Sequence, residues 1–256
     1  MTEKNLTHLK LKDVIKRRRP PNAEPAVIAQ EIGQRLLRRL EAIKFQPQTI
    51  LNLGQSDPQT AKSLQQQFPE AWICHVDVND HRLKSSFYSD RRVVSHLTAL
   101  PFCPQSFDLI FSNLTFHTIN HLSNTMTHIK NLLKPEGILM FSTFGPDTLK
   151  EVKRAWRHVD TDPHVHHFWD MHDIGDLMRH LEFSDTVTDT QWLQLEYRHL
   201  DTLWLDLAIS GDRNALTHRR KTLTGRHRFN TMLSKLQTIS RHHKNYRITF
   251  EIVYGH

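Results

Sequence analysis

Two short apolar runs in this chain end on residues that could do chemistry. The first, residues 50–53, stops at Gly54, and the second, 72–78, closes on Asp77 and Asn79. A glycine at the end of a strand permits a positive-φ turn and close backbone approach to a ligand. A carboxylate ending the next strand can accept both hydroxyls of a ribose. A second group lies at residues 160–173, where His164, His166, His167 and His172 stand among Asp170 and Asp173. These types ligate metals, but the histidines lack helical i, i+4 spacing and no cysteine joins them, so no metal site is expected. The two cysteines give no framework: Cys74 falls inside an apolar strand, and Cys103 sits between Phe102 and Pro104 with no evident base.

The elements that must position these residues follow from periodicity. Residues 49–79 read as strand, tight loop, helix, strand, with Pro58 at the first helical position. Ahead of them, residues 26–44 carry Ile28, Ile32, Leu36, Leu40 and Ile43 on one stripe of a helix. Residues 81–90 read as weak helix or loop and 92–97 as a third strand. The run FDLIFS at 107–112 is a strand buried on both faces. A helix over 122–133 stops at Pro135 and Gly137, a fifth strand spans 138–143, and Phe144-Gly145-Pro146-Asp147 turns into a helix ending near His158. Then come a loop at 159–169, a helix at 172–181, a strand at 186–197, helices at 200–209 and 229–239 separated by a basic loop (213–228), and a closing strand at 247–254. This order is α/β: one doubly wound, mostly parallel sheet with a helical cap inserted at about 198–245. Residues 1–24 read as a basic, flexible arm and 25–256 as a single domain.

A length of 256 residues with 13 Phe and 5 Trp supports a sizeable core. No apolar run is long enough to cross a bilayer and no secretory h-region opens the chain, so a cytoplasmic protein is expected. The net charge of +7 favours an acidic partner. The basic run at 16–19 has no interleaved aromatics for base stacking, so nucleic acid is not the expected partner.

The sequence resembles a class I S-adenosylmethionine methyltransferase in its order of an amphipathic helix, ILNLG, an acid ending the next strand, ALPF, FDLIFSN and LLKPEGILMFSTF. Three further segments, FSTFGPDTLKEVKRAW, DMHDIGDLM and the terminal FEIVYGH, resemble the malonyl-acyl-carrier-protein O-methyltransferases of biotin synthesis. The likeness covers roughly residues 26–256. It implies a Rossmann-like fold and methylation of the free carboxylate of malonyl-acyl carrier protein. It also implies that Gly54, Asp77, Asn79 and Asn113 bind S-adenosylmethionine. Three positions depart from the family pattern. Gln55, Ser56, Asp57 and Pro58 replace the later loop glycines, His96 stands where the family has an acid near adenine, and residues 21–25 lack its aromatic-acid pair.

From these departures cofactor binding is expected to be weak, and a catalytically inactive binding or regulatory protein is the alternative function. A malonyl carboxylate entering a partly dry pocket needs a cation or several donors. An arginine is the favoured cation, either Arg154 or one from the cap loop, with His172 orienting it or the substrate; the Phe144-to-Asp147 turn is a further candidate. The loop at 213–228, with Arg213, Arg219, Arg220, Lys221, Arg226 and Arg228, is the expected docking surface for acyl carrier protein.

Overall fold

The computed structural model describes residues 27–54, 57–79, 83, 91–210, 213–216, 219–220 and 222–256. The expected arm (1–24), the departures at 21–25 and at Gln55 and Ser56, the segment 81–90 apart from Leu83, and Lys221 of the basic loop lie outside those residues.

The chain runs α1 (Val27–Glu41), β1 (Thr49–Leu53), α2 (Pro58–Gln67), β2 (Trp72–Asp77), β3 (Arg92–Val94) and β4 (Phe107–Asn113). It continues through a 3-10 turn (Phe116–Thr118), α3 (Leu122–Leu132), β5 (Leu133–Phe144), α4 (Lys150–Arg157), α5 (Met171–His180) and β6 (Thr188–Tyr197). It closes with α6 (Leu200–Ser210), α7 (Arg226–Ser240), β7 (Arg241–His242) and β8 (Asn245–Gly255). The sheet order is β3-β2-β1-β4-β5-β8-β6, with β7 paired to β8. Strands β1 to β5 are parallel, and β8 is antiparallel to both β5 and β6.

Strand alternation divides the core between the two faces. Ile50, Leu109, Phe111, Met140, Ile252 and Tyr254 pack with α1, α2, α4, α6 and α7. Leu51, Ile110, Leu139, Phe141 and Val253 pack with α3 and α5 on the other face. Each central strand therefore buries both of its rows, which is why its sequence reads as a continuous apolar run.

Boundaries moved in two informative places. The third strand has only three residues and ends at Val94. The last helix starts at Arg226 rather than near Phe229, so Arg226 and Arg228 belong to α7 and not to a loop. The 3-10 turn after β4 and the short β7 were not expected at all.

The antiparallel hairpin β6–β8 overshoots the rest of the sheet. Phe144, the last residue of β5, pairs with Ile252, so residues 246–251 of β8 extend past the carboxyl end of β5 while still paired with β6. The connection from β5 to α4 is fastened to this overshoot. Gly145 N–H donates to the Glu251 carbonyl (2.8 Å) and Leu149 N–H to that of Thr249 (2.8 Å). Thr249 in turn donates its N–H and hydroxyl to the two carboxylate oxygens of Glu151, at 3.0 and 2.7 Å. Helices α6 and α7, which lie between β6 and β8 in the chain, bury Leu203, Leu207, Met232 and Leu236 in the core shared with Ile248 and Phe250 of that overshoot.

Candidate active site

The carboxyl ends of β1, β2, β4 and β5 line one edge of the sheet, and most of the expected site residues stand there. Gly54 leaves β1 with φ +75° and donates its N–H to the Val76 carbonyl at 2.7 Å. A side chain at this position would collide with Thr115, whose Oγ1 would lie 2.1 Å from the added Cβ. Asp57 then caps α2, accepting from the N–H groups of Gln59 (2.8 Å) and Thr60 (3.1 Å), with Pro58 at the first helical position. That carboxylate occupies the positive end of the helix, where a glycine loop would leave N–H groups for a ligand.

Asp77 is buried at the end of β2 and accepts the Asn79 N–H at 2.7 Å. Its carbonyl takes the Ser95 N–H at 3.2 Å, which holds the end of β3 beside it. His96 follows, half-buried, with its carbonyl accepting from Ala99 N–H at 3.0 Å.

Asn113 ends β4 but turns its side chain inward. Its amide nitrogen donates to the Ala29 carbonyl of α1 at 2.8 Å, and its oxygen accepts from the Ser142 hydroxyl at 2.8 Å. It is 2% exposed. The expected ligand contact is thus a buried tie between α1, β4 and β5. Thr115, two residues on, is the polar side chain that borders Gly54, within hydrogen-bond reach of the Leu53 carbonyl (3.2 Å) and the Asn113 carbonyl (3.1 Å).

The two residues expected to handle the substrate lie on the helices that follow this edge, α4 and α5. Helix α4 buries Glu151, Val152 and Ala155, which turns Arg154 to solvent. His172 sits at the start of α5, 81% exposed, its Nδ1 2.9 Å from the carboxylate of Asp170, the residue that also caps that helix. Both side chains are therefore exposed, and among the described residues no hydrogen bond or ion pair joins them.

What does adjoin the strand ends is a cleft of about 420 Å³ beside Pro146, Lys153, Trp156 and the loop 160–168. Its inner wall is aromatic. Phe168 packs edge-on against Phe144, with ring centroids 5.6 Å apart, and both contact the buried His117 after β4, at 6.0 and 4.8 Å. This cluster joins the cleft to the ends of β4 and β5. Lys153 stands one residue before Arg154, on the inward side of α4. Its Nζ donates to the Pro146 carbonyl at 2.6 Å and lies 5.3 Å from the centre of the Phe168 ring. Burial lowers the Lys153 pKa to about 8, against the opposing pull of Asp147 and Glu251 and with a further small push from Arg157.

The outer wall of the cleft is an ion-pair network. Trp156 and His164 stack face to face, and His164 Nε2 lies 2.7 Å from Asp160. Asp160 also pairs with Arg228 of α7. Burial pushes the Asp160 carboxyl up, but the hydrogen bonds from His164 and Arg228 outweigh it and hold the group below its usual range. Asp160, Asp162 and His164 lie close enough together to share a cation. The Asp160 carboxylate is already neutralised by Arg228 within the protein. Of the other histidines of this segment, His166 accepts the Ala215 N–H at 2.9 Å and fastens the loop after α6 to the cleft.

The sequence reading missed Thr115, His117, Lys153 and Phe168. The apolar character around Phe116 and the Phe144-to-Lys153 spacing gave some signal for two of them, while the Asp160–Arg228 pair spans 68 residues and gave none.

Residues 25–187 match the family model of a methyltransferase domain. The chain is 37% identical over 230 residues to malonyl-[acyl-carrier protein] O-methyltransferase 1 of Coxiella burnetii, covering 90% of this chain and 80% of that protein. It is 35% identical over 243 residues to the malonyl-[acyl-carrier protein] O-methyltransferase of Gallionella capsiferriformans, covering 90% and 83%. Among solved structures, the YcgJ protein of Bacillus subtilis superposes with a TM-score of 0.61 at 11% identity, covering 87% of this chain and 96% of that one. The Haemonchus contortus phosphoethanolamine N-methyltransferase 2, solved with S-adenosylhomocysteine, gives a TM-score of 0.52 at 17% identity, covering 87% and 51%. At those identities the structural likeness speaks to fold alone.

Proposed function

This chain belongs to the malonyl-[acyl-carrier protein] O-methyltransferases, and from that membership we propose that it methylates the free carboxylate of a malonyl group carried on acyl carrier protein, in biotin synthesis. The observation that carries the reading is the aromatic link from the ends of β4 and β5 into the cleft beside α4, through His117, Phe144 and Phe168. It sets an apolar wall between the strand ends and the cleft, against which an acyl group can lie.

The residues at the strand ends fit S-adenosylmethionine by their chemistry. Gly54 supplies the left-handed turn, with no room for a Cβ beside Thr115. Asp77 supplies a carboxylate for the ribose hydroxyls, oriented by the Asn79 N–H. Asn113 acts at one remove, fixing α1 and the turn that carries Thr115. S-adenosylmethionine, when bound, supplies an electrophilic methyl group. The chain itself needs no strong base, because the acceptor carboxylate is already a nucleophile. Its work is to position that carboxylate and strip its water, and Phe144, Phe168 and Trp156 are suited to both.

Binding of the cofactor is expected to be weak, since Asp57 takes the α2 N-terminus and Gly54 is the one glycine of its loop. Calorimetry with S-adenosylhomocysteine checks this, and submicromolar affinity would overturn it. No observation favours the alternative of a catalytically inactive protein. Among the described residues no helix is long and apolar enough to cross a membrane.

The function is tested by incubating the protein with methyl-labelled S-adenosylmethionine and malonyl-acyl carrier protein. The expected result is a base-labile methyl ester on the acyl chain. No transfer, under conditions where the cofactor binds, would overturn the assignment.

A further inference from the structure

Any enzyme that esterifies a carboxylate must hold an anion before the reaction and release a neutral ester after it. The described cleft offers few cations for that purpose. Arg154 faces solvent. Arg157 lies one turn beyond Lys153, at the exposed rim. Arg228 is paired with Asp160. His164 is stacked on Trp156 and paired with the same Asp160. His166 Nε2 accepts from Ala215 N–H. His167 also lines the cleft, with its side chain exposed.

Lys153 differs from all of these. It stands on the inner side of α4, held there because the β5–α4 connection is fastened to β8 through Glu151 and Thr249. Its one hydrogen bond in the structure goes to the Pro146 carbonyl, and an ammonium has three donors. Phe168 and Trp156 give its surroundings an apolar character, in which a charge pair is stronger than in water.

Resting on the function proposed above, we propose that Lys153 is the cation that receives the substrate carboxylate and distinguishes the acid substrate from the ester product. An ammonium is a compact point donor and meets one carboxylate oxygen, leaving the other open to take the methyl group. A planar guanidinium would grip both oxygens and hold back the nucleophile. The O–CH₃ bond, once formed, removes the negative charge, and the ion pair with Lys153 ends with it.

The groups facing Lys153 set its titration. Asp147 from the turn and Glu251 from β8 favour the cation, while Arg157 on its own helix and burial disfavour it. On the loop wall stand Asp160, Asp162, His164 and His167, of which Asp160 is engaged with both His164 and Arg228. The cation is present at neutral pH and is lost as pH rises through about 8, so kcat/KM for malonyl-acyl carrier protein should fall on that alkaline limb.

The test uses the full chain with Lys153→Met, Lys153→Arg and, for comparison, Arg157→Ala. S-adenosylhomocysteine affinity is measured for each as a check on folding and on the nucleotide end. Unmodified protein should bind malonyl-acyl carrier protein about tenfold or more tighter than its methyl ester. Lys153→Met should abolish that preference, raise KM and remove the alkaline limb. Lys153→Arg should keep the preference, lower kcat and move the limb to higher pH. If Lys153→Met keeps both the preference and the limb while S-adenosylhomocysteine still binds, the assignment of Lys153 fails and the proposed function stands. If Arg157→Ala alone removes the preference, the anion site belongs to Arg157 and the inference is overturned. If the unmodified protein binds cofactor but transfers no methyl to malonyl-acyl carrier protein, the function itself is wrong and this inference falls with it.

Discussion

Thr115 fills the space where a side chain on residue 54 would be, its Oγ1 2.1 Å from the position of a Cβ built on Gly54. Two constraints therefore act on Gly54 at once, its φ of +75° and this contact. A Gly54→Ala variant should lose about 1–2 kcal/mol from the left-handed backbone alone and more from the collision. Its affinity for S-adenosylhomocysteine should drop at least about tenfold, each 1.4 kcal/mol being a factor of ten. Adding Thr115→Ala to Gly54→Ala removes both the hydroxyl and the methyl but leaves the backbone cost, so recovery should be partial. Calorimetry and thermal melts on both variants check this, and unchanged affinity in Gly54→Ala would remove the β1 turn from the cofactor site.

His75 should make the fold sensitive to acid. It is fully buried in β2, and Asn52 points its amide nitrogen, which can only donate, at Nδ1 from 3.1 Å. Nδ1 therefore accepts and the ring is neutral. Burial lowers its pKa from 6.5 to about 4. Between those values the unfolded chain binds a proton that the folded one refuses, so stability is full above pH 6.5 and falls as pH drops toward 4. The whole loss is about 3 kcal/mol at 1.36 kcal/mol per unit. Denaturant midpoints across that window should fall for the unmodified protein and fall less for His75→Gln. A parallel fall in both would assign the acid sensitivity elsewhere.

The parts of the fold that the sequence made legible were those written in periodicity. The strand β4 and the helix α1 read clearly because Leu109 to Phe111 and Ile28 to Leu40 repeat at the spacing their faces require. The phase of α4 did not, so Arg154 was expected at the site while Lys153 stands on the inward side of the helix. Glu151 is buried with both carboxylate oxygens engaged by Thr249, so a charged residue stands where the pattern would show an apolar one. Leu149, at the N-cap, takes a left-handed φ of 57°, which sets the helix start where no capping residue marks it. The pairing of Asp160 with Arg228 was illegible for another reason. It joins a loop to a helix 68 residues away, and no local rule reports such a contact.

Gly145 should tolerate no side chain. A Cβ there would lie 2.6 Å from Cδ of Glu251, whose carboxylate accepts the Asp147 N–H at 2.6 Å and shapes the turn before α4. Gly145→Ala must displace that carboxylate, which burial already pushes toward its neutral form. The turn and the helix behind it should shift, with about 1–3 kcal/mol lost as a buried acceptor is misplaced. Thermal melts measure the loss. Methyl-transfer assays should show a larger effect on kcat/KM than on S-adenosylhomocysteine affinity, because the β5–α4 turn borders the cleft rather than Gly54. Equal losses in both would mean that the change disrupts the sheet edge as a whole.

The basic segment before α7 makes the last prediction, and the structure divides its arginines by role. Arg228 is engaged with the largely buried Asp160 and holds α7 to the cleft wall. Arg219 and Arg220 stand half-buried in the connection ahead of α7, with Arg220 Nε donating to the Thr222 hydroxyl at 2.7 Å. A docking role for an acidic acyl carrier protein falls on Arg219 and Arg220, whereas Arg228 is expected to act through stability. Charge reversal at both Arg219 and Arg220 should slow association with malonyl-acyl carrier protein and flatten the dependence of the on-rate on salt, with the melting temperature little changed. Arg228→Ala should do the opposite. It leaves Asp160 with His164 as its remaining side-chain partner, so stability should fall by about 1–3 kcal/mol while the salt slope of association stays as it was. Stopped-flow association at several ionic strengths, paired with thermal melts, separates the two. An unchanged salt slope in the double reversal would remove this segment from the docking surface.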